Sequence, residues 1–404
     1  MKAFFNKKGS FAIFALMIIL SLLICVFAII ESAGQIAISS TANSFGHLWA
    51  KSLLSEYDLE LRDRYGLYGF YSDTYNCEEK ILKYVEFSFG DKAYIEYDRP
   101  SCSLEKYSLQ SIENFKEQIE KISVKNTIVE DENIYANEQT MREINNQWII
   151  ESLPSYKKTE EFYLLGLINK IKDGFGLKDF FESQLIDKYI FNFFKDYMEC
   201  RDLKESYFRN EVEYIITGQL SDQKSKDKVG DKIVNMRNML NLYYLYSCTE
   251  KRESALALAN TITPGIGAAI TQAIILEAWA YAEARNDLKI LYDNKTVPLL
   301  KNDSNWALSI ENVFNEKAEV KESLESTSAY VLPQKVEGAE YGDYLQILLY
   351  GLPEETKLLR MMDLIQINMK FLYCDSFLLK DYYCGMEYTL EVNGIKHGFK
   401  DSYY

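Results

Sequence analysis

The chain has 404 residues, with 45 basic and 60 acidic side chains and a net charge of −15. Setting Lys2, Lys7 and Lys8 apart leaves the remainder at −18, a surface that repels nucleic acid and anionic lipid and excludes a nucleic-acid partner. Apolar residues make up 48%, enough for a sizeable core, so the chain is not a disordered one.

Residues 1–9 carry three lysines and no acid, and are read as a short cytoplasmic N-terminus. Phe11 to Ile30 is an uncharged apolar run of twenty residues. As a helix it spans about 30 Å, the hydrocarbon thickness of a bilayer. A secretory signal core is usually only about 7–15 residues long. Residues 10–30 are therefore expected to be a retained transmembrane helix. Lys7 and Lys8 precede the run and Glu31 follows it, so the positive-inside rule sends the rest of the chain outside. Two alternatives stay open: cleavage by signal peptidase near Ser32 or Gly34, and a pilin-type leader cut between Gly9 and Ser10.

Beyond the run, apolar or small residues recur at Ala33, Ile36, Ala37, Ser40, Phe45, Leu48, Trp49, Leu53 and Tyr57, an amphipathic helical spacing. Residues 31–66 are expected to continue the anchor as one helix, about 80 Å long from Ser10 to Arg64 and capped by Gly66. Residues 67–404 then form an extracytoplasmic domain. Lys92 to Asp98 (KAYIEYD) alternates like a strand before Arg99-Pro100. Residues 124–139 are the least core-like and read as a loop or insertion. Aromatic-rich segments follow, TEEFYLLGLINKI, LKDFFESQLIDKYIFNFFKDYM and VNMRNMLNLYYLY, and read as core helices.

Ile262 to Leu288 could pass for a second span, but Gln272 and Glu277 interrupt it. It is expected to be the buried central helix of the outer domain, with Thr263 as N-cap and Pro264 in the first turn. Finally, MEYTLEVNGIKHGFKDSYY alternates around Asn393-Gly394, a strong hairpin signal. The fold class expected is α+β, predominantly helical, with a C-terminal β-hairpin.

The chain offers little chemistry. It has two histidines, His47 and His397, and no metal-ligand, nucleophile-elbow or phosphate-loop motif. PGIGAAI resembles a glycine-rich dinucleotide loop only in part, because Ile270 takes the third glycine's place. Glu277, Glu283 and Asp287 share one helix near Arg285. An acidic pocket around Glu277, with burial raising its pKa, is the alternative reading of an anchored enzyme or ligand-binding module. Cys77 with Cys102 and Cys374 with Cys384 are the local pairs that could form disulfides outside the cell, the alternative being buried thiols. No cofactor or metal is expected, and the primary reading is not an enzyme.

GSFAIFALMIILSLLICVFAIIESA followed by SLLSEYDLELRDRYGLYGF resembles the N-terminus of single-pass surface proteins of Gram-positive bacteria encoded with tight-adherence (Tad) pilus loci, similar in outline to TadE and TadG. The likeness resumes at DKYIFNFFKDYM, at RNEVEYIITGQLSD, at ILEAWAYAEARNDLKILYDNKTVPLLKNDSNW and at RMMDLIQINMKF. It implies a membrane-anchored, non-enzymatic accessory whose partners are the bilayer and pilus or secretion-system proteins. Pilin subunits usually carry a Glu five residues after the leader cut, and here that position is Phe14. The resemblance therefore implies a minor component rather than the filament subunit.

Overall fold

A computed structural model describes residues 7–92, 94–125, 141–158, 177–198, 206–314 and 330–403. The chain divides into two compact units, residues 1–114 with 379–404, and residues 115–378.

The first unit begins with α1, Lys7–Leu54, a single helix of 48 residues. No proline occurs in it, and its Ala, Leu and Met residues favour helix. The helix does not run on to Arg64. It stops at Leu54 because Asp58 leaves helical geometry (φ −68°, ψ 120°) to cap a new helix, α2, Leu59–Tyr65, its side chain accepting from the Leu61 N–H at 2.9 Å. Gly66 ends α2 in the left-handed region (φ 69°), as its sequence position suggested.

After α2 come β1 (Phe70–Tyr71), α3 (Thr74–Phe89) and β2 (Ser101–Ser103). The C-terminal segment supplies β3 (Tyr382–Tyr383), β4 (Gly385–Val392) and β5 (Ile395–Ser402). β1 pairs with β3, and a three-stranded antiparallel sheet has the order β2-β4-β5. Asn393 (φ 48°) and Gly394 (φ 75°) both sit at positive φ, as a tight two-residue hairpin turn demands. The expected strand at Lys92–Asp98 is reduced to one bridge, Tyr97 to Val392. Its backbone instead wraps the hairpin turn: the Asn393 N–H donates to the Glu96 carbonyl at 2.8 Å, and the Glu96 N–H to Asn393 Oδ1 at 2.7 Å.

The second unit is helical among its described residues. Its elements are α4 (Ile112–Lys125, which spans the division between the units), α5 (Gln147–Ser152), α6 (Leu177–Phe193), α7 (Glu211–Thr217) and α8 (Asp222–Ser247). Then follow α9 (Thr249–Ile262), α10 (Ala268–Tyr292), α11 (Ile310–Phe314), α12 (Tyr341–Tyr350) and α13 (Glu354–Leu372). The expectations for TEEFYLLGLINKI and for residues 126–139 lie outside the described residues. α6 realises the helix expected in LKDFFESQLIDKYIFNFFKDYM, with Tyr189 and Ile190 fully buried.

The central buried helix is α13 and not Ile262–Leu288. Every residue of α13 from Thr356 to Met369 is buried, including Lys357, Arg360 and Asp363. Such a helix can hold charges only where each is matched. Lys357 donates to Asp187 at 2.6 Å, and Arg360 donates to the carbonyls of Ile215 and Ile216 at 2.7 and 2.9 Å. In Ile262–Leu288, Thr263 follows the end of α9 rather than capping a helix. Pro264 is extended, and a short turn at Gly265–Gly267 (Gly265 φ 88°) leads into α10. The segment is the apex of a helical hairpin; apart from Ala268, it is buried only from Ile275 onward.

Candidate functional site

The strongest functional geometry lies along α1. From Ile13 to Ala37 its described side chains are exposed, Ala15 alone being half-buried. Burial starts at Ile38 and is complete at Ala42, Ala50 and Leu53, with Trp49 nearly so. Among the described residues the apolar first half therefore has no protein partner, and it is long and apolar enough to cross a membrane. The second half is a built interface. Trp49 packs against Phe45 and Phe89, and its indole N–H donates to Ser88 Oγ at 3.1 Å.

β4 and β5 meet α1 at Gly46. The Tyr388 hydroxyl donates to the Gly46 carbonyl at 2.7 Å, and the Phe399 ring occupies the space where a side chain at position 46 would stand. A Cβ there would lie 2.2 Å from two ring carbons, so only glycine lets sheet and helix approach this closely. Both histidines of the chain belong to this seam. His397 is buried, with Nδ1 2.9 Å from Asn43 Oδ1, and His47 stands edge-on to Phe399. They pack the anchor helix onto the hairpin. An open groove of about 530 Å³ runs beside the seam, lined by Ser32, Gln35, Ser39 and Asn43 of α1 and by Ile395 at the start of β5. Gly9 and Ser10 fall in the first turn of α1.

The three acids of α10 separate. Glu277 is exposed and accepts from the Asn238 amide at 2.7 Å, so the buried acidic pocket expected around it is not formed. Arg285 is exposed as well, on another face from the acids it was expected to join. Glu283 and Asp287 are fully buried together, one turn apart. Their partners are Arg237 of α8 and Lys301, neither of which the local sequence points to. Arg237 Nε donates to Asp287 Oδ2 at 3.0 Å, and Lys301 Nζ donates to Asp287 Oδ1 at 2.6 Å and to Glu283 Oε1. Glu283 also accepts from the N–H groups of Ala307 and Leu308 at 2.8 and 2.9 Å. Arg237 caps the carbonyls of Pro298 and Leu299 at 2.8 and 2.7 Å.

Two cations and two anions cancel, and the network ties residues 298–308 onto α8 and α10. Burial raises the Glu283 pKa, while Lys301 pulls it back down. With these partners all protein groups, the network acts as a structural clamp. The open groove of about 250 Å³ in this unit is lined by residues such as Thr217, Lys228, Asp231 and Arg360, and includes none of the three acids. Sequence reasoning also missed Glu213 of α7. It is fully buried and accepts from the Tyr341 hydroxyl and the Tyr197 N–H, both at 2.9 Å. Burial, reinforced by the nearby Asp196 charge, pushes its pKa up to about 8. Among the described residues no group of three His, Cys, Asp or Glu is arranged to hold a metal ion.

The cysteine pairs differ. Cys77 of α3 and Cys102 of β2 are buried in one core, their thiols in hydrogen-bond contact and unbonded. That contact and burial hold the Cys102 thiol protonated, well above its usual range. Cys374 is exposed with its Sγ 3.2 Å from Ser376 Oγ, while Cys384 is buried in the other unit. Both are free thiols, against the pairing expected for them.

Fold and site together define a predominantly helical α+β protein with a long apolar N-terminal helix, a candidate membrane anchor. Residues 105–394 match the model of a family of unknown function (DUF5702), and the chain belongs to that family. No curated protein and no solved structure matches it.

Proposed function

We propose that the protein is a membrane-anchored, surface-exposed accessory or minor pilin-like component of a tight-adherence pilus or secretion system, with a structural and protein-interaction role. The observation that carries this reading is α1: one helix whose apolar half is bare and whose second half is built into a sheet-and-helix unit. A helix of this kind carries a bilayer segment and a folded head on one rigid rod, the construction that pilin-like proteins use to pack side by side. Lys2, Lys7 and Lys8 before the apolar run support an N-terminus in the cytoplasm and a head outside. The groove beside α1, lined by small polar residues, gives a neighbouring helix room to approach. Phe14 stands where filament subunits carry a Glu, which points to a low-copy component at the base or tip.

Chemical cross-linking in intact cells, followed by isolation of the tagged full chain from membranes, tests this. The expected co-isolated proteins are pilus subunits or pilus-base proteins. Recovery from the soluble fraction, or from membranes with no pilus protein attached, would overturn the reading.

A further inference from the structure

The Lys301 side chain is 1% exposed, between two carboxylates that are wholly enclosed, Glu283 and Asp287. Its Nζ stands 2.6 Å from Asp287 Oδ1 and touches Glu283 Oε1. The other atoms of the cluster are held as firmly. Asp287 Oδ2 accepts from Arg237 Nε at 3.0 Å, with Asn241 Nδ2 at 3.4 Å. Glu283 is fixed by the N–H groups of Ala307 and Leu308. Both indoles, of Trp279 and Trp306, donate to the Leu308 carbonyl, and the Trp306 ring centroid lies 5.7 Å from Lys301 Nζ.

This set holds an amine nucleophile, a carboxyl carbon it can attack, donors on the oxygen that would gain charge, and a second carboxyl to carry protons. We propose that Lys301 and Asp287 condense into an intramolecular amide, a self-catalysed modification that makes the clamp covalent.

An ammonium is costly to bury, and in a dry core its proton passes readily to a carboxylate. Burial raises the Glu283 pKa although Lys301 opposes it, so Glu283 is suited to take that proton and hand it to Asp287 Oδ1. The freed Nζ lone pair then attacks Asp287 Cγ, and the carbonyl pair moves onto Oδ2, where Arg237 and Asn241 stabilise it. Glu283 takes a second proton from the attacking nitrogen and gives it to the Oδ1 hydroxyl. The Cγ–Oδ1 bond breaks, water leaves, and the Oδ2 carbonyl re-forms. An ammonium and a carboxylate have become an amide and one water, with no other reactant consumed. Arg237 and Glu283 remain, one cation and one anion, so the core stays balanced. Fixed positions on packed elements supply the effective concentration, and exclusion of water opposes the reverse reaction. The inference requires neither the anchor nor the pilus role.

The test is a tryptic digest of the denatured full chain, purified in mild detergent and read by mass spectrometry. Expected is a branched peptide joining residues 286–289 to the stretch that begins at Thr296, uncut after Lys301 and lighter by one water than its two parts. Lys301→Arg keeps the cation but removes the amine, and should release residues 286–289 as a free peptide. Glu283→Gln should slow closure by about 10²-fold or more, leaving most chains unbridged. Cleavage after Lys301 in the wild-type chain, with both peptides separate and at full mass, would overturn the proposal and leave an ion network only. That digest decides whether or not the variants fold. A bridge from Lys301 to Glu283 would overturn the choice of Asp287 as acceptor. Complete closure in Glu283→Gln would overturn the proton-carrying role of Glu283.

Discussion

Replacing Gly46 by alanine should loosen the joint between the anchor helix and the sheet. The added methyl carbon would lie 2.2 Å from the Phe399 ring, well inside any real carbon–carbon approach. Phe399 has little freedom to retreat, since it is packed on Tyr388 (ring centroids 4.8 Å apart) and meets His47 from the other side. Either the ring leaves its rotamer or the helix shifts and loses the Tyr388–Gly46 hydrogen bond. Overpacking of this kind costs about 1–3 kcal/mol, and a lost neutral hydrogen bond about 1 kcal/mol more. In a unit of this size the midpoint of thermal unfolding should fall by about 3–10 °C. Gly34 lies on the same helix with nothing within 4 Å of where its Cβ would stand. Gly34→Ala should therefore be neutral or stabilise the helix by up to about 1 kcal/mol. Thermal melts of the full chain in mild detergent, followed by circular dichroism, compare the two. Equal melting of Gly46→Ala and Gly34→Ala would refute the reasoning that α1 is rigidly seated on the hairpin.

Three further outcomes follow from the geometry. Glu283→Gln leaves Lys301 and Arg237 facing a single carboxylate and should cost about 3–5 kcal/mol in denaturant unfolding read from tryptophan emission, with Glu283→Gln/Lys301→Met less damaged; a silent Glu283→Gln would remove the clamp. Glu213 keeps a proton in the folded state up to about pH 8 that the unfolded chain releases near its ordinary value of 4.5, so unfolding sheds a proton between these limits and stability falls as pH rises. Asp363, raised by burial to about 6, acts in the same direction. The unfolding free energy should decline by at least about 1 kcal/mol from pH 5 to pH 8, and Glu213→Gln should flatten the curve; a rise would contradict this. In the extracytoplasmic location proposed, Cys77 and Cys102 should oxidise to each other, closing a loop of about 25 residues and adding about 3–4 kcal/mol, while Cys374 and Cys384 stay reduced; peptide mapping without reductant that finds all four alkylated would show the core thiols stay free.

Local signals are legible in this chain; contacts made only through tertiary packing are not. Asn393-Gly394 and Gly66 state their backbone conformations in their own chemistry, and both are found at positive φ. The apolar run from Phe11 is visible by length alone. The break at Ser55–Asp58 was missed because its cause, Asp58 capping α2, competes with an apolar spacing that continues through Leu61. Ile262–Leu288 misled for a related reason. Apolar content suggests burial, but whether a helix is covered depends on neighbours, and here α13, with its lysine, arginine and aspartate, is the one enclosed. The clamp illustrates the same limit. Glu283 and Asp287 are one turn apart and legible as a pair, while Arg237 and Lys301 reach them only through tertiary packing. The Cys77–Cys102 contact was suggested by proximity in sequence, but the same argument failed for Cys374 and Cys384, which fold into different units.

Deletion of the gene, followed by counting surface filaments and measuring adherence, tests the assembly role. Filaments or adherence should be impaired. A copy carrying Glu277→Gln should restore them as well as the parent does, because Glu277 is exposed and its one described hydrogen bond is to Asn238. Cells with normal filaments and normal adherence after deletion would contradict a role in pilus assembly.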